Sequence, residues 1–356
     1  MDLFDQFLSL FSDFTNPKKR LFLGYVALSV LLGFVVLFVI RRQSLRASLT
    51  QIFSPKIWFS GSARADYKIF IINRVLTGFI SPVLLTQVAV ATALYTLLIN
   101  LSYDGWGLFA GAPAALVVAS FSVAMFVADD FTKYLLHRWM HTWPILWPIH
   151  KVHHSAETLT PMTVYRVHPL EGVLYATRST IAQGPVIALF YYLFGDTVNL
   201  VTILGVNGLV FLFHVTGSNL RHSHVDIRYP KWLEHILISP AQHQIHHSIA
   251  EEHYDKNFGA ALAVWDWLFG SLHVSEDQHD MQFGLRSDEG HSTTSLRVMY
   301  LRPFAELWAA GNAGVCKSGA RWILQVIQSI AKRLPLAVRK LRANSPEAQR
   351  TNLLKR

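Results

Sequence analysis

Eight histidines stand in three short clusters: His137 and His141 in HRWMH, His150, His153 and His154 in HKVHH, and His243, His246 and His247 in HQIHH. Neutral imidazole is the commonest protein metal ligand, and residues three or four apart leave a helix on one face. Each cluster can therefore aim two or three rings at one point. A closed zinc site uses about four ligands and an octahedral ion about six, so eight rings imply two ions sharing them. A lone cysteine, Cys316, excludes an intrachain disulfide and any thiolate cluster, leaving nitrogen and oxygen as donors. The first cluster has Arg138 where the HExxH metalloprotease motif needs its glutamate. No candidate nucleophile, glycine-rich phosphate loop or nicotinamide fingerprint accompanies the histidines.

Around the clusters, Asp130, Tyr134, His137 and His141 recur at helical spacing, which places Asp130 or Tyr134 to orient a histidine ring. Trp143, Pro144, Trp147 and Pro148 interrupt that helix before the second cluster. Glu157, one turn beyond His154, either supports the metal or faces solvent, and Asp255 and Asn257 are further supporting candidates. Among the remaining histidines His214 is the strongest additional ligand, because an ionisable side chain at the end of an apolar stretch is costly without a partner. His168, His222, His224 and His253 either complete the coordination sphere or are structural.

The elements that must position these rings are predicted to be membrane helices. The 356 residues are 51% hydrophobic and 15% charged, with the apolar residues in long uncharged stretches. Leu21 to Ile40 lies between Lys18, Lys19, Arg20 and Arg41, Arg42, and is too long and wrongly flanked for a cleaved signal peptide. Val75 to Leu101 and Trp106 to Ala128 form one predicted hairpin around Asp104 and Gly105, with Pro82 and Pro113 as kinks. Ser179 to Gly195 and Thr197 to Val215 form a second, spanning or re-entrant, whose first arm is long enough only if helix continues before Arg178. The expected fold is all-α, a polytopic bundle of roughly four or five transmembrane segments with a histidine-rich helical cap. Arg41, Arg42, Arg46, Lys56, Arg64 and Lys68, against no basic residue in the two turns, place that cap in the cytoplasm and outweigh the triplet at 18–20. Three regions are expected: a transmembrane region at 1–110, a catalytic one at 111–275 and a basic extension at 276–356.

The segment from about 115 to 275 resembles the sterol desaturase and fatty acid hydroxylase superfamily of membrane non-haem di-iron oxygenases. The three boxes correspond to its HxxxH, HxxHH and HxxHH motifs, and DFTKYLLHR, RVHPLE, HYDKNFG and WDWLFG correspond to the neighbouring text. The resemblance implies two histidine-held iron ions, dioxygen as co-substrate, attack on an unactivated C–H bond of a lipid, and electrons from a separate reductase, ferredoxin or cytochrome. It leaves open which of His214, His222 and His224 supplies the extra ligand. Hydroxylation is the expected outcome and desaturation its nearest rival.

Two other classes compete. Metal transport would place ligands within the spans, whereas these clusters flank them, and a haem carrier needs two histidines at most. The net charge of +9 comes from residues bordering membrane segments or crowding the tail, which suits an anionic leaflet, and no nucleic-acid binding is expected. Trp322, Ile323, Val326, Ile327 and Ile330 form an apolar stripe in the basic tail, predicted to be an interfacial helix ending near Pro335. Gly205 and Gly208 are more naturally helix-packing contacts than walls of a substrate slot.

Overall fold

The computed structural model describes residues 13–17, 19–81, 84–101, 106–198, 219–275, 281–285 and 294–312. Among these residues the fold is all-helical, without a β-strand; two isolated bridges, Leu237 to Leu262 and Ser248 to Phe283, are the only ladder-like pairings. The helices are α1 (Leu23–Val35, prolonged by a π turn to Ile40), α2 (Leu45–Ile52), α3 (Gly61–Ile80), α4 (Gln87–Leu101), α5 (Ala114–Thr142), α6 (Trp147–His154), α7 (Pro169–Phe194), α8 (Pro240–His247), α9 (Val264–Phe269) and α10 (Leu296–Asn312). A single helical turn, Pro55–Trp58, links α2 to α3.

Two of these, Leu23–Ile40 with its π turn and α5, are long and apolar enough to cross a membrane, and α4 is a shorter apolar helix of 15 residues. The apolar stretch from Val75 to Leu101 is not one helix. It divides between the end of α3 at Ile80 and the start of α4 at Gln87. Similarly, 106–112 is a series of turns, Pro113 precedes α5 rather than kinking it, and α5 runs on to Thr142. Proline suits such a boundary because it lacks the N–H that the first helical turn leaves unused.

The expected hairpin partners α4 and α5 both pack chiefly on α7 instead. Helix α7 continues through Arg178 as one 26-residue element, so the arm before Gly195 is long, and Gly195 at φ 55 ends it. Side-chain pairs set the register of α4 on α7: Gln87 donates to Ser179 Oγ at 3.1 Å, and Tyr95 meets Tyr191 edge-on at 5.1 Å. Between them Gly184 lets the helices touch, since a Cβ there would lie 2.7 Å from Val90 Cγ1. On α5, Asp129 accepts from Lys133, Arg178 and Gln183, so the carboxylate that joins α5 to α7 is fully partnered. The arm from Thr197 to Val215, with His214, Gly205 and Gly208, lies outside the described residues beyond Val198. Pro82, Asp104, Gly105 and the basic tail from 317 onward also lie outside them.

The close α4–α7 contact makes Gly184→Leu destabilising by about 1–3 kcal/mol, because Val90 and the α4 backbone must shift. Thermal unfolding in detergent checks this: Gly184→Leu should melt several degrees below the parent and below Gly184→Ala.

Candidate metal centre

Helix α5 delivers His137 and His141 from its final turns. Helix α6 starts at Trp147 with Pro148 in its first turn and carries His150, His153 and His154. Helix α8 is started by a reciprocal cap: Ser239 Oγ accepts from Gln242 N at 3.1 Å while Gln242 Oε1 accepts from Ser239 N at 2.9 Å. It carries His243, His246 and His247, and the irregular segment 219–225 adds His222.

The ring nitrogens gather into two groups, His137, His141, His150, His154 and His246 in one and His153, His222, His243 and His247 in the other. Within each group the ligand atoms lie within 4.8 Å of one another. The division cuts across the sequence clusters. His150 and His154 enter the first group while His153 enters the second; His243 and His247 enter the second while His246 enters the first. At about 100° per residue, positions i and i+4 differ by about 40°, whereas i+3 falls about 60° to the other side. A helix lying between two sites therefore feeds both. This corrects the expectation that each cluster aims at one point.

Spacing within the groups suits shared ions. His222 Nε2 lies 3.1 Å from His153 Nε2 and 2.9 Å from His243 Nε2. Two nitrogens each about 2.1 Å from one ion, at right angles, stand about 3.0 Å apart. His137 Nδ1 donates to Phe258 O at 2.8 Å, His246 Nδ1 to Lys256 O at 2.8 Å and His153 Nδ1 to Arg166 O at 3.3 Å. A carbonyl only accepts, so these Nδ1 atoms carry the hydrogen and each Nε2 keeps its lone pair. The Nε2 atoms of His141, His150, His154, His246 and His247 are buried without a hydrogen bond. Each such orphan costs about 1–3 kcal/mol unless something coordinates it. A set of neutral nitrogen donors fits iron, zinc or copper rather than magnesium or calcium.

Burial pushes His150, His154, His222, His243, His246 and His247 well below their ordinary range. For His153, burial and then the neighbouring His137 lower it to about 3, against the weaker raising effect of its bond to Arg166 O.

The supporting groups differ from those expected. Asp130 accepts from Ala261 N at 2.8 Å, Leu262 N at 3.1 Å and Trp265 Nε1 at 2.9 Å, so it fastens the loop before α9 to α5 and orients no ring. Tyr134 accepts from Arg138 at 2.7 Å and stacks on Phe269, again away from the rings. Glu157 is exposed and outside both groups. Asn257, at φ 55, bonds Gln242 O and the backbone of His273 and so holds the 255–259 loop against α8. Asp255, at φ 57, borders a cavity beside the first group.

Three remaining histidines are occupied elsewhere. His168 caps α7, accepting from Leu170 N at 3.3 Å while its Nε2 donates to Tyr300 O at 3.1 Å. His224 Nε2 donates to Gln51 O at 2.8 Å, and His253 lies beside His273. His214 lies outside the described residues.

Sequence reasoning missed three positioning groups. Glu171 Oε1 receives His150 Nδ1 at 3.0 Å, 21 residues away. Asp266 accepts from Phe258 N and Gly259 N at 2.8 and 2.7 Å and thereby sets the carbonyl that holds His137. Arg166, wholly buried, is held by Asp66 at 2.5 Å and Ser62 O at 2.7 Å, which fixes the carbonyl on His153. Glu171 and Arg166 stand in RVHPLE and Asp266 in WDWLFG, but no spacing rule ties these residues to the rings they serve.

Two cavities flank the rings. One of about 270 Å³ is bordered by His141, His154, His246 and His247 together with Trp147 and Tyr254. The other, about 400 Å³, is bordered by His137, His150, His153, His222 and His243 and extends to Phe126 on α5 and Tyr175 on α7.

Residues 122–271 match the fatty acid hydroxylase family. This segment is similar to the sterol desaturase and fatty acid hydroxylase superfamily. The chain is 28% identical to the lathosterol oxidase of Mus musculus over 170 residues, 48% of this chain and 50% of that protein. It is 30% identical to the Delta(7)-sterol 5(6)-desaturase of Eremothecium gossypii, over 43% of this chain and 36% of that protein. It is 31% identical to the alkylglycerol monooxygenase of Homo sapiens, over 43% of this chain and 31% of that protein. The matches thus span half or less of these relatives. No solved structure matches the chain.

Two outcomes follow from the geometry. Glu171→Ala should lower apparent metal affinity about 10–100-fold through loss of the His150 partner, measured by cobalt titration of the metal-stripped protein. A histidine whose folded pKa lies below its ordinary value of about 6.5 takes up a proton on unfolding, so its stabilising effect is present above about 6.5 and is lost as pH falls toward about 3. The melting temperature of the metal-stripped protein should accordingly decline below pH 6.5, and the loaded protein should release metal in the same direction. A flat profile across that range would contradict the neutral-ring arrangement.

Proposed function

We propose that the chain is an integral membrane di-iron oxygenase that uses dioxygen to hydroxylate an unactivated C–H bond of a lipid, on an acyl chain, a sterol or another membrane lipid. The observation that carries this reading is the pair of buried, nitrogen-only histidine groups opening on the 400 Å³ cavity between α5 and α7. The relatives named as a lathosterol oxidase and an alkylglycerol monooxygenase support a lipid substrate. The relative named as a desaturase favours desaturation as the second reading, with the same residues in the same roles.

In this proposal His137, His141, His150, His154 and His246 hold one ion and His153, His222, His243 and His247 the other. When bound, the ions supply activation of dioxygen. The carbonyls of Phe258, Lys256 and Arg166, with the Glu171 carboxylate, keep four Nδ1 atoms occupied and their Nε2 atoms aimed inward. Phe126, Val164, Val167 and Tyr175 give a lipid chain an apolar wall and keep water from the reacting carbon. Hydroxylation consumes dioxygen, two electrons and two protons per C–H bond and yields an alcohol and water, so a separate reductase, ferredoxin or cytochrome supplies the electrons.

The placement in the membrane is part of the same proposal. Leu23–Ile40, α5 and α7 cross the bilayer within a bundle of roughly four or five spans, with exposed Leu31, Val39, Leu116 and Val123 facing lipid. The basic stretch 41–68 puts the histidine cap in the cytoplasm. The division into a transmembrane region at 1–110, a catalytic region at 111–275 and a basic extension at 276–356 stands within the proposal.

Iron-57-enriched protein purified anaerobically should show about two coupled irons per chain by Mössbauer spectroscopy. A defined lipid should then gain one oxygen, or lose two hydrogens under the second reading. Stoichiometric zinc without iron in fresh membranes would reject both. His222→Ala should lower bound iron and abolish turnover, whereas His224→Ala should retain iron; the reverse pattern would show the ligand assignment to be wrong.

A further inference from the structure

We propose that α2 and the turn after it form a foot that rests on the anionic lipid headgroups of the leaflet beside the metal centre. The inference depends on Leu23–Ile40 being a membrane span, as in the proposal above. Only Arg41 to Ser44 separate that span from α2, a reach of at most about 14 Å, so α2 starts close to the membrane surface. Arg42, at φ 54, breaks the helical path there.

Helix α2 buries only Ser48 and Ile52, the latter in a cluster with Leu37, Leu220, Val225 and Ile227. Its flank carries Leu45 (54% exposed) and Leu49 (41%), and the stripe continues through Phe53 (55%) and on to Phe59 (69%). Arg42, Arg46, Lys56, Arg64 and Lys68 are all exposed and form no ion pair among the described residues, whereas Arg41 is paired with Asp226 at 2.8 Å. Asp66, the one acid between 41 and 68, is wholly buried against Arg166.

The exposed side chains of 41–68 are therefore chiefly cations and large apolar groups with no exposed acid among them, and the neighbouring Asp226 is taken up by Arg41 and Arg228. Cations alone would suit an acidic soluble protein. Cations interleaved with an apolar stripe, held within a few residues of the end of a span, match a bilayer in which the side chains enter the acyl boundary and the cations meet phosphates. The foot also touches the site: Gln51 O accepts from His224, two residues from His222, and Trp58 packs edge-on against the His224 ring.

The test uses full-length, iron-loaded protein with Cys316→Ser and a nitroxide at Leu49→Cys, or at Ala47→Cys on the opposite side of α2. The protein is reconstituted in nanodiscs of phosphatidylcholine with or without about 30% phosphatidylglycerol. The Leu49 label should be relaxed by oxygen more than by a water-soluble nickel chelate, and the Ala47 label should show the reverse. The lipid-contacting fraction at Leu49 should rise with phosphatidylglycerol, and that gain should fall about fivefold for each of Arg42→Gln, Arg46→Gln and Lys56→Gln. A Leu49 label relaxed chiefly by the chelate in both bilayers would overturn the proposal. So would equal contact in neutral and anionic bilayers, or shielding that arises only when an acidic ferredoxin is added. Iron content and its retention, read on each protein after purification and reconstitution, separate the two readings. Iron retained without lipid contact rejects the foot alone, whereas absence of iron rejects the oxygenase.

Discussion

Nine imidazole rings can be buried side by side only if they stay neutral and most of their nitrogens have somewhere to point. A protonated ring here would be desolvated and repelled by its neighbours, which is why the shifts at His153 and His222 are downward and dominated by burial. Neutrality alone still leaves lone pairs aimed at one another, as in the chain of contacts from His153 through His222 to His243. Cations among the lone pairs would relieve those contacts, and only neutral rings could hold them, so readiness for metal and neutrality of the rings are one constraint.

The surrounding structure answers this constraint at the outer nitrogens. The loop 256–259 presents two carbonyls, one to His246 and one to His137. It is itself pinned by Asp266 beneath Phe258 and Gly259, by Asn257 against α8, and by Asp130 a few residues on. Gly259 is required there: a Cβ would lie 2.7 Å from Leu262 O and 2.8 Å from Asp266 Oδ2. On the other side, the buried Arg166–Asp66 pair secures α3 to the segment after α6 and positions the carbonyl on His153. Such a pair contributes little net stability over an apolar contact, but removing one partner strands a buried charge, so its value lies in fixing geometry.

The two HxxHH helices serve both histidine groups because their middle rings cross over. Helix α6 contributes two rings to the first group and one to the second, and α8 does the opposite. Helix α5 completes the first group with a pair one turn apart. The second has no such pair left and takes His222 from an irregular segment. Cavities on both sides of the rings give the centre two faces, and the larger reaches Phe126 and Tyr175 on the long apolar helices.

The gathering of the eight box histidines and the helical class of the described residues were legible in the sequence because each depends on residue type and local spacing. An i, i+4 pair shares a helix face wherever the helix goes. The uncharged runs likewise announced apolar helices, although their ends were misplaced at 84–86 and 106–113, where irregular backbone and turns, with Pro113 before the second helix, set boundaries that hydropathy averages over. What only the tertiary structure decided is which rings meet: the crossing of His153 and His246, the choice of His222 over His224, and the roles of Glu171, Asp266 and Arg166 as partners of distant groups. Asp130 and Tyr134 illustrate the limit. They share a helix face with His137, as their spacing requires, yet at one or two turns away that face meets the α9 loop rather than the rings. Periodicity fixes the direction in which a side chain leaves its own helix, and packing between elements far apart in the chain fixes what it finds there.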